Sequence, residues 1–118
     1  MSPTFDNRVF RSVTNSASGD VDESTTFHYR QEGDIVWGTY RGGAVAMGTL
    51  IARVRADGTL DMRYQHVTTS GEIKMGKCAS RPEALSDGRL RLHEHWQWTE
   101  GGSESGESVV EEVSSAAP

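Results

Sequence analysis

A chain of 118 residues is long enough to bury one core and leaves no room for a second catalytic domain. Its formal charge of −5 comes from twelve basic residues scattered among seventeen acidic ones, which excludes a nucleic-acid surface because phosphate contacts need clustered Lys and Arg. The single cysteine, Cys78, excludes an internal disulfide and a Cys-held zinc or iron–sulfur site, and suits a reducing compartment.

The stretch from Met1 to Arg8 lacks the basic and apolar blocks of a secretory leader, and no apolar run approaches a membrane span. A soluble, cytoplasmic protein with no membrane partner is expected. Strand-like segments rich in Val, Thr, Tyr, Phe and Trp then follow in order: Arg8–Asn15, Asp22–Gln31, Ile35–Arg41, Ala44–Arg55, Thr59–Thr68, Glu72–Ser80, Arg89–Thr99 and Glu107–Val113. Turn signals separate them, from Ser18-Gly19-Asp20 through Glu32-Gly33-Asp34, Gly42-Gly43, Asp57-Gly58, Ser70-Gly71-Glu72 and Ser86-Asp87-Gly88 to the stretch from Gly101 to Gly106. Asp57-Gly58 carries the strongest hairpin signal and predicts a type I′ turn. Ala79 to Asp87 carries the weakest strand signal, and a single helical turn over residues 81–85 fits there. Residues 114–118 have nothing to bury and read as a disordered tail after a domain spanning residues 1–113.

No segment sustains a helical period. The chain therefore reads as all-β: a single-domain, antiparallel, up-and-down meander of about eight strands. Closure into a small barrel removes the exposed edges that invite aggregation, and a two-sheet sandwich is the alternative. An eight-stranded barrel is just wide enough to be filled by side chains or to hold one small ligand.

Alternation selects the inward faces. Thr25, Phe27 and Tyr29 oppose Thr26, His28 and Arg30, while Leu60, Met62, Tyr64 and His66 oppose Asp61, Arg63 and Gln65. Ala44–Arg55 is ambiguous, since Ala46, Gly48, Leu50, Ala52 and Val54 compete with Val45, Met47, Thr49 and Ile51. Gly38, Gly48 and Gly76 suit barrel corners. Within Ile35–Arg41, Trp37 is assigned to the interior. The result is an aromatic interior of Phe27, Tyr29, Trp37, Tyr64, Trp96 and Trp98, with Met62, His66 and Glu94 among them. Such a set either fills a core or walls a pocket.

Leu90 to Trp98 poses the sharpest question, because alternation places Glu94 between Leu92 and Trp96. A buried carboxylate is either paired, with Arg30, Arg53 or Arg63 as candidates, or raised in pKa and available as a general acid or base. Tyr64, His66 and Glu94 form the candidate acid–base set. His93 and His95 fall on the outer face. Together with Gly88, Glu100 and Gly106 they resemble the first cupin metal motif, with two spacings off by one and no second motif, so no metal is assigned. Cys78 reads as a small apolar residue within the sheet. No nucleophile elbow, phosphate-cradling Gly loop or zinc-protease motif occurs, so no cofactor is expected.

The segments Phe5-Asp6-Asn7-Arg8-Val9-Phe10-Arg11, Thr26-Phe27-His28-Tyr29-Arg30-Gln31, Gly38-Thr39-Tyr40-Arg41-Gly42-Gly43 and Leu92-His93-Glu94-His95-Trp96-Gln97-Trp98 resemble a family of small single-domain bacterial proteins. That family is often labelled N-acetylglutamate synthase. The residues argue against that activity, since acyl-CoA acetyltransferases of the usual class need an α/β sheet and a Gly-rich pyrophosphate loop. In architecture, the meander resembles calycin-type barrels such as lipocalins and fatty-acid-binding proteins, a likeness of fold alone.

Three functions follow as expectations. The first is a small-molecule-binding barrel for an apolar or aromatic ligand, with Tyr29, Trp37, Met62, Tyr64, His66, Glu94, Trp96 and Trp98 lining the pocket. The second is a cofactor-independent isomerase or cyclase in which Glu94 exchanges protons with Tyr64 or His66. The third is a homodimeric interaction protein whose outer sheet face carries the contact.

Overall fold

Alternating side chains need a partner surface on one face only, and eight successive strands supply it by curling around a shared interior. The computed structural model describes residues 4–14 and 20–113. Its strands are β1 (Arg8–Thr14), β2 (Thr26–Glu32), β3 (Ile35–Gly42), β4 (Val45–Val54), β5 (Leu60–Thr68), β6 (Ile73–Ala84), β7 (Leu90–Glu100) and β8 (Ser105–Glu112). Each strand pairs antiparallel with the next, and β1 returns to β8 through Phe10 opposite Glu112 and Arg11 opposite Glu111, so the barrel is closed. The all-β meander and its calycin-like closure are as expected from the alternation. Asn15, most of the Ser18-Gly19-Asp20 turn and the tail at 114–118 lie outside the described residues.

Beyond shifts of one or two residues at strand ends, three local readings differ from expectation, each for a local reason. Asp22 does not open β2. Its carboxylate accepts from the Ser24 backbone N–H at 2.8 Å while the Thr25 N–H donates to the Asp22 carbonyl at 2.9 Å, forming a turn that delays the strand to Thr26. Residues 81–85 are not helical, because β6 continues to Ala84 opposite Leu90. Pro82 is tolerated there because β5 stops pairing at Ser80, so the proline, which lacks an N–H, sits where only β7 is bonded. Asp57-Gly58 does form a hairpin, but not a type I′ turn, since Gly58 alone of the pair has positive φ, at 88°. The Gly58 N–H donates to the Arg55 carbonyl at 2.9 Å, which makes a type I turn closed by a left-handed glycine. The β5–β6 and β6–β7 loops repeat this arrangement with Gly71 and Gly88.

Register shifts explain the ambiguous fourth strand. Val45 and Gly48 both point inward, and an irregularity between Val45 and Met47 changes the phase, so neither simple alternation fits the whole strand. Trp37 is a correction: Val36, Gly38 and Tyr40 take the inner face of β3, and Trp37 stands outside beside Ile35, 39% exposed. Gly38 on the inner face is the direct partner of Tyr29 on β2, and a Cβ there would stand 2.3 Å from the His28 carbonyl oxygen. The same pairing recurs between Tyr40 and Gly48, Tyr64 and Gly76, and Trp96 and Gly106. A Cβ on Gly48 or Gly76 would lie 2.4 Å from the facing tyrosine ring, so these glycines are seats for aromatic side chains.

The interior has two ends. Where the β2–β3, β4–β5 and β6–β7 turns lie, Phe5, Phe10, Val36, Leu60, Leu90 and Leu92 pack with at most 1% exposure. The segment before β1 plugs this end. The Phe5 N–H donates to Gln31 Oε1 at 2.7 Å, and Asp6 accepts from the Gln31 N–H and from Arg30 Nε. The opposite end is polar, where Lys74 Nζ and Asp20 Oδ2 meet at 3.0 Å.

Candidate functional site

Between the plugged end and the polar mouth the barrel encloses a cavity of about 70 Å³. This is well below the roughly 300 Å³ at which ligand pockets usually begin. It admits a small head group, with the rest of any larger molecule directed to the mouth.

Tyr29, Met62, Tyr64, His66, Glu94, Trp96 and Trp98 all line this space, so seven of the eight positions singled out as pocket-lining do meet there. Trp37, the eighth, does not. It borders a groove on the outer surface with Ile51 and Met75. Cys78 is buried and borders the cavity, and burial pushes its thiol well above its ordinary pKa. Its chemistry here is that of a small apolar group.

Glu94 occupies the middle of the wall. Its cross-strand neighbours are Ser80 on β6 and Ser108 on β8, and Ser108 Oγ donates to Glu94 Oε1 at 3.2 Å. No guanidinium reaches it. Arg30 pairs with Asp6 at 2.9 Å and Arg63 with Asp61 at 2.8 Å, while Arg53 stays on the exposed outer face. The side chain lies deep in the barrel yet keeps partial exposure, because part of its surface faces the cavity. Burial pushes the carboxyl from 4.5 up to about 7, against a smaller lowering by the Ser108 hydrogen bond. A group so poised can hold or release a proton near neutrality.

His66 has a different set of partners from the expected one. No hydrogen bond joins it to Tyr64 or Glu94 among the described residues. Its Nε2 lies 2.9 Å from Asp20 Oδ2 and its Nδ1 lies 2.9 Å from the Tyr40 hydroxyl. Because the carboxylate only accepts, Nε2 donates to Asp20, and a neutral ring then accepts the Tyr40 O–H at Nδ1. Lys74 Nζ completes the mouth, 3.0 Å from Asp20 Oδ2 and 5.0 Å above the Trp98 ring. Burial works against the Asp20 charge, but hydrogen bonds from His66 and Lys74 outweigh it and hold the carboxyl below its ordinary range.

Asp20 and Tyr40 are therefore site residues that sequence reasoning missed. Tyr40 alternates with Val36 and the small Gly38, a signal that could have placed it inside. Asp20 is 46 residues from His66 in a turn-rich loop, and no local pattern marks it.

The aromatic wall is a corner, not a stack. Trp98 meets Trp96 at 5.6 Å and 56°, Tyr64 at 5.6 Å and 62°, and His66 at 5.4 Å and 79°. Among the described residues three buried polar side-chain atoms have no hydrogen-bond partner: the Tyr29 hydroxyl, Ser80 Oγ and Trp98 Nε1. Tyr29 and Trp98 belong to residues that line the cavity. His93 and His95 face outward toward Glu83 and Glu107, and no group of three metal-ligating side chains occurs among the described residues.

Residues 3–113, nearly the whole chain, match the family model described as Avidin-like protein. No curated protein matches the chain.

Proposed function

The chain belongs to the avidin-like family, and on that premise we propose that it binds one small molecule with an apolar or aromatic body inside its barrel. The observation that carries this reading is the cavity itself, which is walled by Tyr29, Trp96 and Trp98 and reaches Glu94. A core built only for stability would close that space, since voids and unpaired buried polar groups each cost free energy. Barrels of this family typically hold small, biotin-like molecules. Trp96, Trp98, Met62 and Tyr29 serve as walls, and Glu94, Tyr64 and His66 as polar anchors.

Tryptophan fluorescence tests the proposal cleanly in a Trp37→Phe protein, because that variant removes the tryptophan outside the barrel. Saturable emission changes are expected during a screen of small metabolites that includes biotin-like compounds. A screen with no saturable change at millimolar concentrations would overturn the reading.

Self-association is a second reading, favoured by the outer face of β3–β6. Trp37 lies opposite Ile51 there, and Met47, Val67 and Ile73 form a cross-strand row, all at least 38% exposed. A homodimer that buries this stripe is expected to sediment as twice the chain mass. A strict monomer at all concentrations refutes it.

A further inference from the structure

We propose that the cavity is built to receive a small nitrogen cation, an ammonium or amidinium head group, held by Glu94 against the corner formed by Tyr64, Trp96 and Trp98. The inference rests on the small-molecule reading above and specifies what the innermost part of the ligand must be.

Charge comes first. Among the described residues Glu94 and Asp20 are the carboxylates that line the cavity; Asp20 is paired with Lys74, while Arg30 and Arg63 stand on the outer face and pair with Asp6 and Asp61. An anion entering this space meets Glu94 within and Asp20 at the mouth, where Lys74 and a His66 N–H already engage the Asp20 carboxylate. A cation meets a carboxylate that has a single neutral donor, Ser108.

The walls agree with the charge. Ring faces attract cations, most strongly where water is excluded, and three rings that meet at steep angles present several faces to one small group. Lys74 already makes such a contact with Trp98 at the mouth. An ammonium or amidinium also carries several N–H donors, and the Glu94 carboxylate offers lone pairs beyond the one that Ser108 reaches. The free volume of about 70 Å³ suits a head group of a few heavy atoms.

Binding is then linked to pH through Glu94. The groups that act on it from the packed strands are Ser80, Ser108, Tyr29, Tyr40, Tyr64 and Cys78. Burial raises the three tyrosines and the cysteine, so they stay neutral through pH 6–8. Asp20 stays ionised throughout, with Lys74 and His66 beside it at the mouth. A carboxyl that titrates near 7 is about ten times more ionised at pH 8 than at pH 6.

Acetamidinium, acetamide and acetate share one planar shape and differ in charge, so they separate the possibilities. Amide-resolved NMR titrations of the intact protein at pH 8 are expected to show acetamidinium binding about tenfold or more tighter than acetamide, with acetate weakest. Acetamidinium affinity should fall about tenfold between pH 8 and pH 6. Glu94→Gln should remove both the preference and the pH dependence. Should that variant fail to fold, the three-probe comparison and the pH series on the unmodified protein decide the matter alone. Equal or tighter binding of acetamide or acetate at the cavity residues would overturn the cation while leaving the pocket intact. Absence of any cavity shift with all three probes would overturn this inference, and the metabolite screen would then decide whether the pocket falls too.

Discussion

The two ends of the barrel interior are made from the same alternating strands but solve different problems. At the plugged end Phe10 packs 4.9 Å from Tyr29, Leu90 and Leu92 are sealed, and the Phe5 N–H and the Asp6 carboxylate of the segment before β1 are both paired with Gln31. Toward the mouth the same sheet keeps free space, a carboxylate without a cation and unpaired hydroxyl and indole groups. The difference shows where the stability is stored. One half is packed like an organic crystal, and the other gives up contacts and hydrogen bonds that a ligand could restore.

Equal truncations in the two halves should break or confirm this contrast with the largest effect. Leu92 lies in the sealed half and Leu50 borders the cavity. Leu92→Ala is expected to cost about 4 kcal/mol, because it opens a new void among close-packed neighbours. Leu50→Ala enlarges a space that already exists, so it forfeits fewer contacts and should cost roughly 2–3 kcal/mol. Urea unfolding of the two variants measures the difference directly. Equal costs would mean that the cavity half is as tightly packed as the plug.

Glu94 gives the next effect, and its sign is opposite. Between pH 4.5 and about 7 the unfolded chain has released this proton while the folded barrel retains it. Stability therefore falls as pH rises through that window, by about 1.4 kcal/mol per unit and roughly 3 kcal/mol in all. Glu94→Gln, neutral at every pH, should flatten this slope and make the protein more stable than the parent above pH 7. Melting curves from pH 4 to 8 check it. A parent whose stability does not decline across that window would show that Glu94 is ionised at little cost.

The contrast was only partly legible in the chain. Alternation and turn residues are local, so the eight strands, their order and the inward set around Tyr29, Met62, His66 and Glu94 could be read from the residues themselves. Trp37 could not, because its strand has apolar groups in both phases, and packing put Val36, Gly38 and Tyr40 inside, with Gly38 so close to β2 that a Cβ would meet the His28 carbonyl oxygen. Pro82 was misleading for a related reason. A proline weakens a strand in isolation, but here the neighbouring strand ends before it. The Asp20–His66–Tyr40 chain joins a loop to two non-adjacent strands, and no pattern along the backbone encodes such a meeting.

That chain also sets the smallest effect. Tyr40→Phe keeps the ring in its seat over Gly48 and stacked 5.1 Å from Phe27, and removes only the hydroxyl that reaches His66 Nδ1. The loss of one buried hydrogen bond, with an acceptor left unpaired, should cost roughly 1–2 kcal/mol. Asp20→Asn weakens the other side of the same ring and also releases Lys74. Because both changes act on one histidine, their costs should not add, and the double variant should lose less than the sum. Additive losses would instead show that His66 does not link the two groups. The mouth would then be a set of independent surface contacts, and the boundary between a packed half and a networked half would have to be redrawn at Glu94.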